Sequence, residues 1–171
     1  GFGAVAVHGA HGYLVSEFLS RALNPRADEW GGSLANRLRF PLAVATAIKE
    51  AVGDDFPLLW KINSQDFLEN GSGLQEYSEA AAALARAGVD MVEVSGGVKD
   101  QIQLRARLKK EAAETEAYFA PALAAFRAAL PSTALAVTGG LRSLAAAQGV
   151  LSLGADLVGM SRPLVCEPGL V

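Results

Sequence analysis

The chain reads as an α/β protein built on a parallel sheet. Two observations predict this. Five apolar runs of strand length recur along the chain, and each of the first four leads into a longer segment with helical character. The runs are apolar on both faces, the pattern of parallel strands covered by helices. The spacing is roughly thirty residues per unit, which barrels and open sheets both allow.

The predicted strands are Phe2–Val7, Pro57–Ile62, Val89–Val94, Ala134–Val137 and Asp156–Met160. Leu14–Arg21 predicts a short helix. Leu34–Val52 predicts a long one in which Pro41 marks a kink or a second start. Leu74–Ala87 is alanine-rich and stops at Gly88. Glu116–Leu130 stops before Pro131, and Pro121 requires a break or a first-turn position. Ser143–Leu153 begins on a capping serine and stops at Gly154. The polar stretches 69–73 and 95–97 read as loops rather than domain boundaries.

At 171 residues, 51% of them hydrophobic, the chain predicts one domain with a real core. A formal charge of −3 and the lack of a basic stripe argue against a nucleic-acid or anionic-membrane partner. No apolar run reaches the ~20 residues of a membrane span, and no basic segment precedes the first apolar residues as in a signal peptide. The single Cys166 excludes an internal disulfide and a multi-cysteine metal site within the chain. The setting expected by default is reducing and cytoplasmic. The chain lacks an initiator Met and meets a strand-like unit near each end. This predicts a fragment of a longer protein, with a compact processed domain as the alternative.

Polar residues gather where the strands end: His8, then Lys61 and Asn63, then Glu93 and Ser95, then Thr138-Gly139-Gly140, then Ser161-Arg162. In barrels and open α/β sheets alike, this edge carries the site. Gly139 and Gly140 precede a helix, and Ser161-Arg162-Pro163 repeats the arrangement one unit later. Backbone N–H groups at helix starts favour anions, and Arg162 adds a fork suited to phosphate. The alternative is two tight turns and a surface arginine. His8, His11 and Tyr13 lie within six residues after the first strand. Two imidazoles can donate to one substrate oxygen, and a phenol can act as general acid. Packed histidines near a turn are the alternative, and the spacing fits no zinc motif. Lys61 ends an apolar strand, where it either faces an anionic group or extends its ammonium to solvent or Glu93. The segment 28–37 reads as structural, with Ser33 as a helix cap after Gly31-Gly32.

The motifs His8-Gly9-Ala10-His11-Gly12-Tyr13-Leu14 and Asp28-Glu29-Trp30-Gly31-Gly32-Ser33-Leu34-Ala35-Asn36-Arg37 resemble the Old Yellow Enzyme family of NADH:flavin oxidoreductases. The resemblance continues through Leu59-Trp60-Lys61-Ile62-Asn63, Val137-Thr138-Gly139-Gly140-Leu141-Arg142 and Gly159-Met160-Ser161-Arg162-Pro163, so it covers essentially the whole chain. It implies a partial (β/α)8 TIM barrel, five β/α units corresponding to strands 4 to 8 of a fold that needs about 250 residues.

The resemblance also implies roles. FMN would be the cofactor, with NADH or NADPH as reductant and a small-molecule activated alkene as substrate. His8 and His11 match the pair that binds the substrate's oxygen, and Tyr13 matches the proton donor. Lys61 stands where the family commonly has an arginine beside the flavin, keeping the charge but losing the fork. Gly139, Gly140, Ser161 and Arg162 match the FMN phosphate loops, with Ser161 where the family commonly has glycine. Some relatives add an iron–sulfur cluster whose cysteines follow the region matched here. Two alternatives stay open: an inactive truncated barrel, or a phosphate-binding barrel without flavin. A homo-oligomer that completes the barrel between copies is a further arrangement.

Overall fold

The computed structural model describes residues 1–98 and 116–170. Five strands, β1 (Val5–Gly9), β2 (Leu58–Asn63), β3 (Met91–Ser95), β4 (Ala134–Thr138) and β5 (Leu157–Gly159), form one sheet in sequence order. All four strand pairs are parallel. Between them run α1 (Leu14–Leu19), α2 (Leu34–Arg37), α3 (Arg39–Val52), α4 (Leu74–Arg86), α5 (Leu123–Ala129) and α6 (Leu144–Ser152), with α7 (Arg162–Cys166) after β5. This order and pairing are those of a partial α/β barrel.

One face of the sheet is sealed by helices. Leu58, Trp60 and Ile62 of β2, Val92 and Val94 of β3, and Leu135 and Val137 of β4 are fully buried. They join a core with Tyr77, Ala80, Ala81 and Leu84 of α4 and Leu123 and Phe126 of α5. The alanines keep α4 thin on its inner side, which lets it approach β2 and α5. The alternate residues Leu59, Lys61, Met91 and Glu93 are only half-buried, so the second face is the more polar one. Two acids fix the strand starts. Asp90 accepts from Leu58 N–H and Lys49, and Asp156 accepts from Leu135 N–H and Arg127.

Three predicted boundaries move for identifiable reasons. The first strand begins at Val5 rather than Phe2, because Val5 N–H bonds to Pro57 O and β2 offers residues 2–4 nothing to pair with. The strand also runs on to Gly9, paired with Ile62, so His8 lies on β1 and not after it. Glu116–Phe119 are not helical, since the N–H groups of Ala117 and Tyr118 donate to Gly140 O and Gly139 O instead. The helix starts through a 3-10 turn at Ala120–Ala122, with Pro121 in its first turn. The long 34–52 helix divides at Leu38, and Pro41 sits in the first turn of α3, the second start that it predicts. Ser33 and Ser143 cap α2 and α6 by accepting from Asn36 N–H and Ala146 N–H.

Beyond the strand ends lies a buried polar network. Asp66 is fully buried and accepts from Ser20 Oγ at 2.7 Å, Ser72 N–H at 2.8 Å, Tyr77 OH at 2.5 Å and Asn63 Nδ2 at 3.3 Å. Burial and the Asp66 carboxylate raise the Tyr77 phenol well above its ordinary value. Arg37 is 2% exposed. It donates to Gly32 O, Leu19 O, Ser72 Oγ and Glu76, tying segment 19–37 to α4. Burial pushes the Glu76 carboxyl up, but hydrogen bonding and charge from Arg37 outweigh it and hold the group low. Replacing Arg37 by Met strands these acceptors, and stability should fall by about 3 kcal/mol. Urea unfolding of the chain measures it. A loss under about 0.5 kcal/mol, the range of ordinary surface substitutions, would mean that Arg37 is not a structural tie.

Candidate active site

The parallel register places His8, Lys61, Glu93 and Ala136 in one row across β1 to β4. His8 closes a cluster at the strand ends. Its ring centroid lies 5.1 Å from that of His11, in an edge-on arrangement, and 5.0 Å from that of Tyr13. Tyr13 is half-exposed. The loop of Ala10 to Gly12 brings these residues together because the chain turns sharply at His11, whose φ is +63°.

His11 is held from two neighbouring strands. Its N–H donates to Asn63 Oδ1 at 3.0 Å, and its Nε2 lies 2.7 Å from Ser95 Oγ. Lys61 Nζ donates to Glu93 Oε1 at 2.7 Å, so the alternative in which the ammonium reaches Glu93 describes its contact. Burial, the Lys61 charge and His8 lower the His11 ring from 6.5 to about 4. Burial and Lys61 also lower His8, with Glu93 opposing them. Both imidazoles are therefore neutral near pH 7, each with one N–H donor and one acceptor nitrogen. Among the described residues no three His, Cys, Asp or Glu side chains gather to hold a metal ion.

The second group of predicted residues lines a cavity of about 350 Å³ at the ends of β4 and β5. Gly139, Gly140, Ser161 and Arg162 all face it, together with Thr138, Arg142 and others. Gly139 and Gly140 have φ of +127° and +70°. A Cβ on either would strike the ring of Phe119 or Tyr118 at 2.5 or 2.7 Å, so only glycine fits this loop. Among the described residues, two arginines, Arg142 and Arg162, and one acid, Glu167, line the cavity. Glycine backbone and excess positive charge are what a phosphate group requires. The cavity and the histidine row meet at Gly159, where a Cβ would lie 3.5 Å from Glu93 Oε1.

Sequence reasoning places the two histidines, the tyrosine and both glycine-type loops. It does not assign Arg142, and it misses Glu116, whose carboxylate accepts from Arg142 N–H, Ser143 N–H and Ser143 Oγ. Burial pushes Glu116 up, but these hydrogen bonds prevail and hold it below its ordinary value. Asn63 and Ser95 stand out in the sequence as strand-end polar residues, but their tether to His11 depends on the sheet order.

Comparison with known proteins agrees with this geometry. The chain is 42% identical over 101 residues to the NADH oxidase of Thermoanaerobacter brockii, covering 59% of this chain and 16% of that protein. It is 37% identical over 171 residues to the NADH-dependent flavin oxidoreductase nadA of Aspergillus parasiticus, covering 99% of this chain and 38% of that protein. Among solved structures, 2-naphthoyl-CoA reductase in complex with 2-naphthoyl-CoA superposes with a TM-score of 0.88 at 30% identity, covering 98% of this chain and 25% of the other. The chain thus spans well under half the length of these relatives. With a family match running over residues 1–171, the chain belongs to the NADH:flavin oxidoreductase / NADH oxidase family.

Proposed function

We propose that this chain carries the substrate-activating and phosphate-holding parts of an FMN-dependent oxidoreductase that reduces an activated alkene, an enone or enoate, at the expense of NADH or NADPH. The observation that supports it best is the His8, His11 and Tyr13 cluster on the same strand-end edge as the glycine- and arginine-lined cavity. Gly139, Gly140, Ser161 and Arg162 would hold the FMN phosphate, and Lys61 would stand by the flavin ring. FMN held there would supply the hydride transfer between the nicotinamide and the β-carbon of the alkene.

The chain's own residues perform the rest. His8 and His11, both neutral, donate to the carbonyl oxygen of the substrate. As hydride arrives, the alkene π electrons move toward that oxygen, and the two hydrogen bonds strengthen as charge develops. Tyr13 then gives its phenolic proton to the α-carbon. Its half-exposed position lets it recover a proton from water.

In the intact protein, incubation with FMN followed by desalting should leave a retained, perturbed flavin absorption band, and adding an enone should increase NAD(P)H consumption. A flavin-loaded protein indifferent to every enone and enoate would overturn the alkene assignment. Gly140→Ala should weaken FMN retention about tenfold, from left-handed strain and the Tyr118 contact. Equal retention would remove the loop from the phosphate site.

Tyr13→Phe should slow alkene reduction by about 10²-fold or more while the separate half-reaction, oxidation of NAD(P)H by FMN, stays largely intact. An unchanged alkene rate would take Tyr13 out of the proton-donor role.

The neutral histidines also predict a pH dependence of stability. The His11 ring sits at about 4 when folded against 6.5 as the ordinary value. Its contribution is complete above pH 6.5 and is lost as pH falls from 6.5 toward 4. His8 acts in the same direction. In His11→Asn, a residue that tolerates positive φ, urea midpoints should decline less steeply across this window. An identical slope would show that His11 is not held neutral by the fold.

A further inference from the structure

His11 carries one bond on its backbone and one on its ring, and together they leave its imidazole a single way to act. The backbone bond goes to Asn63 Oδ1, at 3.0 Å. Asn63 is itself fully buried, and its amide nitrogen donates to Asp66 Oδ1 at 3.3 Å, which fixes its oxygen toward His11. The ring bond joins Nε2 to Ser95 Oγ at 2.7 Å. Ser95 is the last residue of β3, is 4% exposed, and accepts from Ser64 N–H through its own carbonyl. Its hydroxyl therefore projects from a fixed strand and not from a mobile turn.

We propose that Ser95 and Asn63 are positioning residues for His11, Asn63 holding its left-handed backbone and Ser95 selecting the imidazole tautomer that bears its proton on Nδ1. This rests on the reading of His11 as a donor to the substrate's oxygen. An imidazole has two nitrogens, and the bond made by one sets the protonation of the other. With Nε2 engaged by Ser95, Nδ1 is the nitrogen left to meet a ligand. To donate there it must carry the proton, so Nε2 accepts and the Ser95 hydroxyl donates. In the reverse arrangement Ser95 would accept from Nε2–H, and Nδ1 would present a lone pair to an oxygen gaining negative charge. That contact is repulsive and would oppose the reaction.

The test is a long-range ¹H–¹⁵N correlation spectrum of the labelled chain at pH 7, with neither flavin nor alkene added. The chain has 2 histidines, so His11 is assigned by the loss of its signals in His11→Asn. The expected wild-type pattern shows a protonated Nδ1 and an unprotonated Nε2 for His11. Ser95→Ala should move the proton to Nε2, while Ser95→Thr, which keeps the hydroxyl, should restore the wild-type pattern. A wild-type His11 protonated on Nε2 overturns the proposal without any variant, as does an unchanged tautomer in Ser95→Ala. Because the spectrum requires no cofactor, its failure leaves FMN retention and alkene reduction to be judged separately. Their failure likewise leaves the tautomer result standing.

Discussion

Asp66 places a carboxylate in the interior at 0% exposure, and its four hydrogen bonds come from neutral donors. A buried carboxylate is tolerable only when its lone pairs are satisfied. Its donors therefore have to stay where they are: Ser20 just past α1, Asn63 at the end of β2, Ser72 in the loop before α4, and Tyr77 on α4. This single requirement joins two connecting segments, the one after α1 and the one between β2 and α4, to the end of β2 and to α4. Ser72 passes the constraint on to Arg37, and Asn63 passes it on to His11. His11 is thus two hydrogen bonds from the group around which the loops are organised. Disturbing Asp66 would move the site through Asn63 even though the carboxylate meets no ligand.

The row across the sheet adds the electrostatic half of the same design. Lys61 lies between His8 and Glu93 in register, and its charge makes a second positive charge on either imidazole costly. Burial is the leading cause for both rings, Lys61 adds to it, and Glu93 takes up the ammonium and relieves His8 in part. The result is a pair of neutral donors beside a fixed cation. An oxygen gaining negative charge benefits from that arrangement more than a neutral ground state does, which is the condition for lowering a barrier and not merely binding tightly.

The five parallel strands and the helix caps were legible because each depends on local sequence. Apolar runs, Ser33 and Ser143 act over a few residues. What escaped depends on partners far away in the chain. The start of β1 is decided by Pro57, and the loss of helix at Glu116–Phe119 by the carbonyls of Gly139 and Gly140. In sequence Asp66 looks like a charge in a polar loop and Arg37 like a charge in the first turn of a helix. The signal that could have raised them is faint: Asp66 follows a strand after two polar residues, Ser64 and Gln65, and Tyr77 falls on the buried stripe of α4.

The two halves of the site are built by different means, and this explains which departures from the family pattern the chain can carry. The histidine half depends on side chains held by other side chains, so a changed atom there is felt through the network. The phosphate half depends on backbone, and its tolerance follows from φ. Gly139 and Gly140 adopt positive φ against the rings of Phe119 and Tyr118, so no side chain can replace their hydrogens. Ser161 has φ of −131°, which any residue adopts without left-handed strain. A serine in a place commonly held by glycine therefore keeps the N–H and the path of the loop, and it leaves Arg162 at the start of α7 on the wall of the cavity. Lys61 is the less neutral departure, because a point charge paired with Glu93 cannot reproduce a guanidinium's two parallel hydrogen bonds. Under the proposed function, a flavin bound here would therefore feel the Lys61 departure before the Ser161 one.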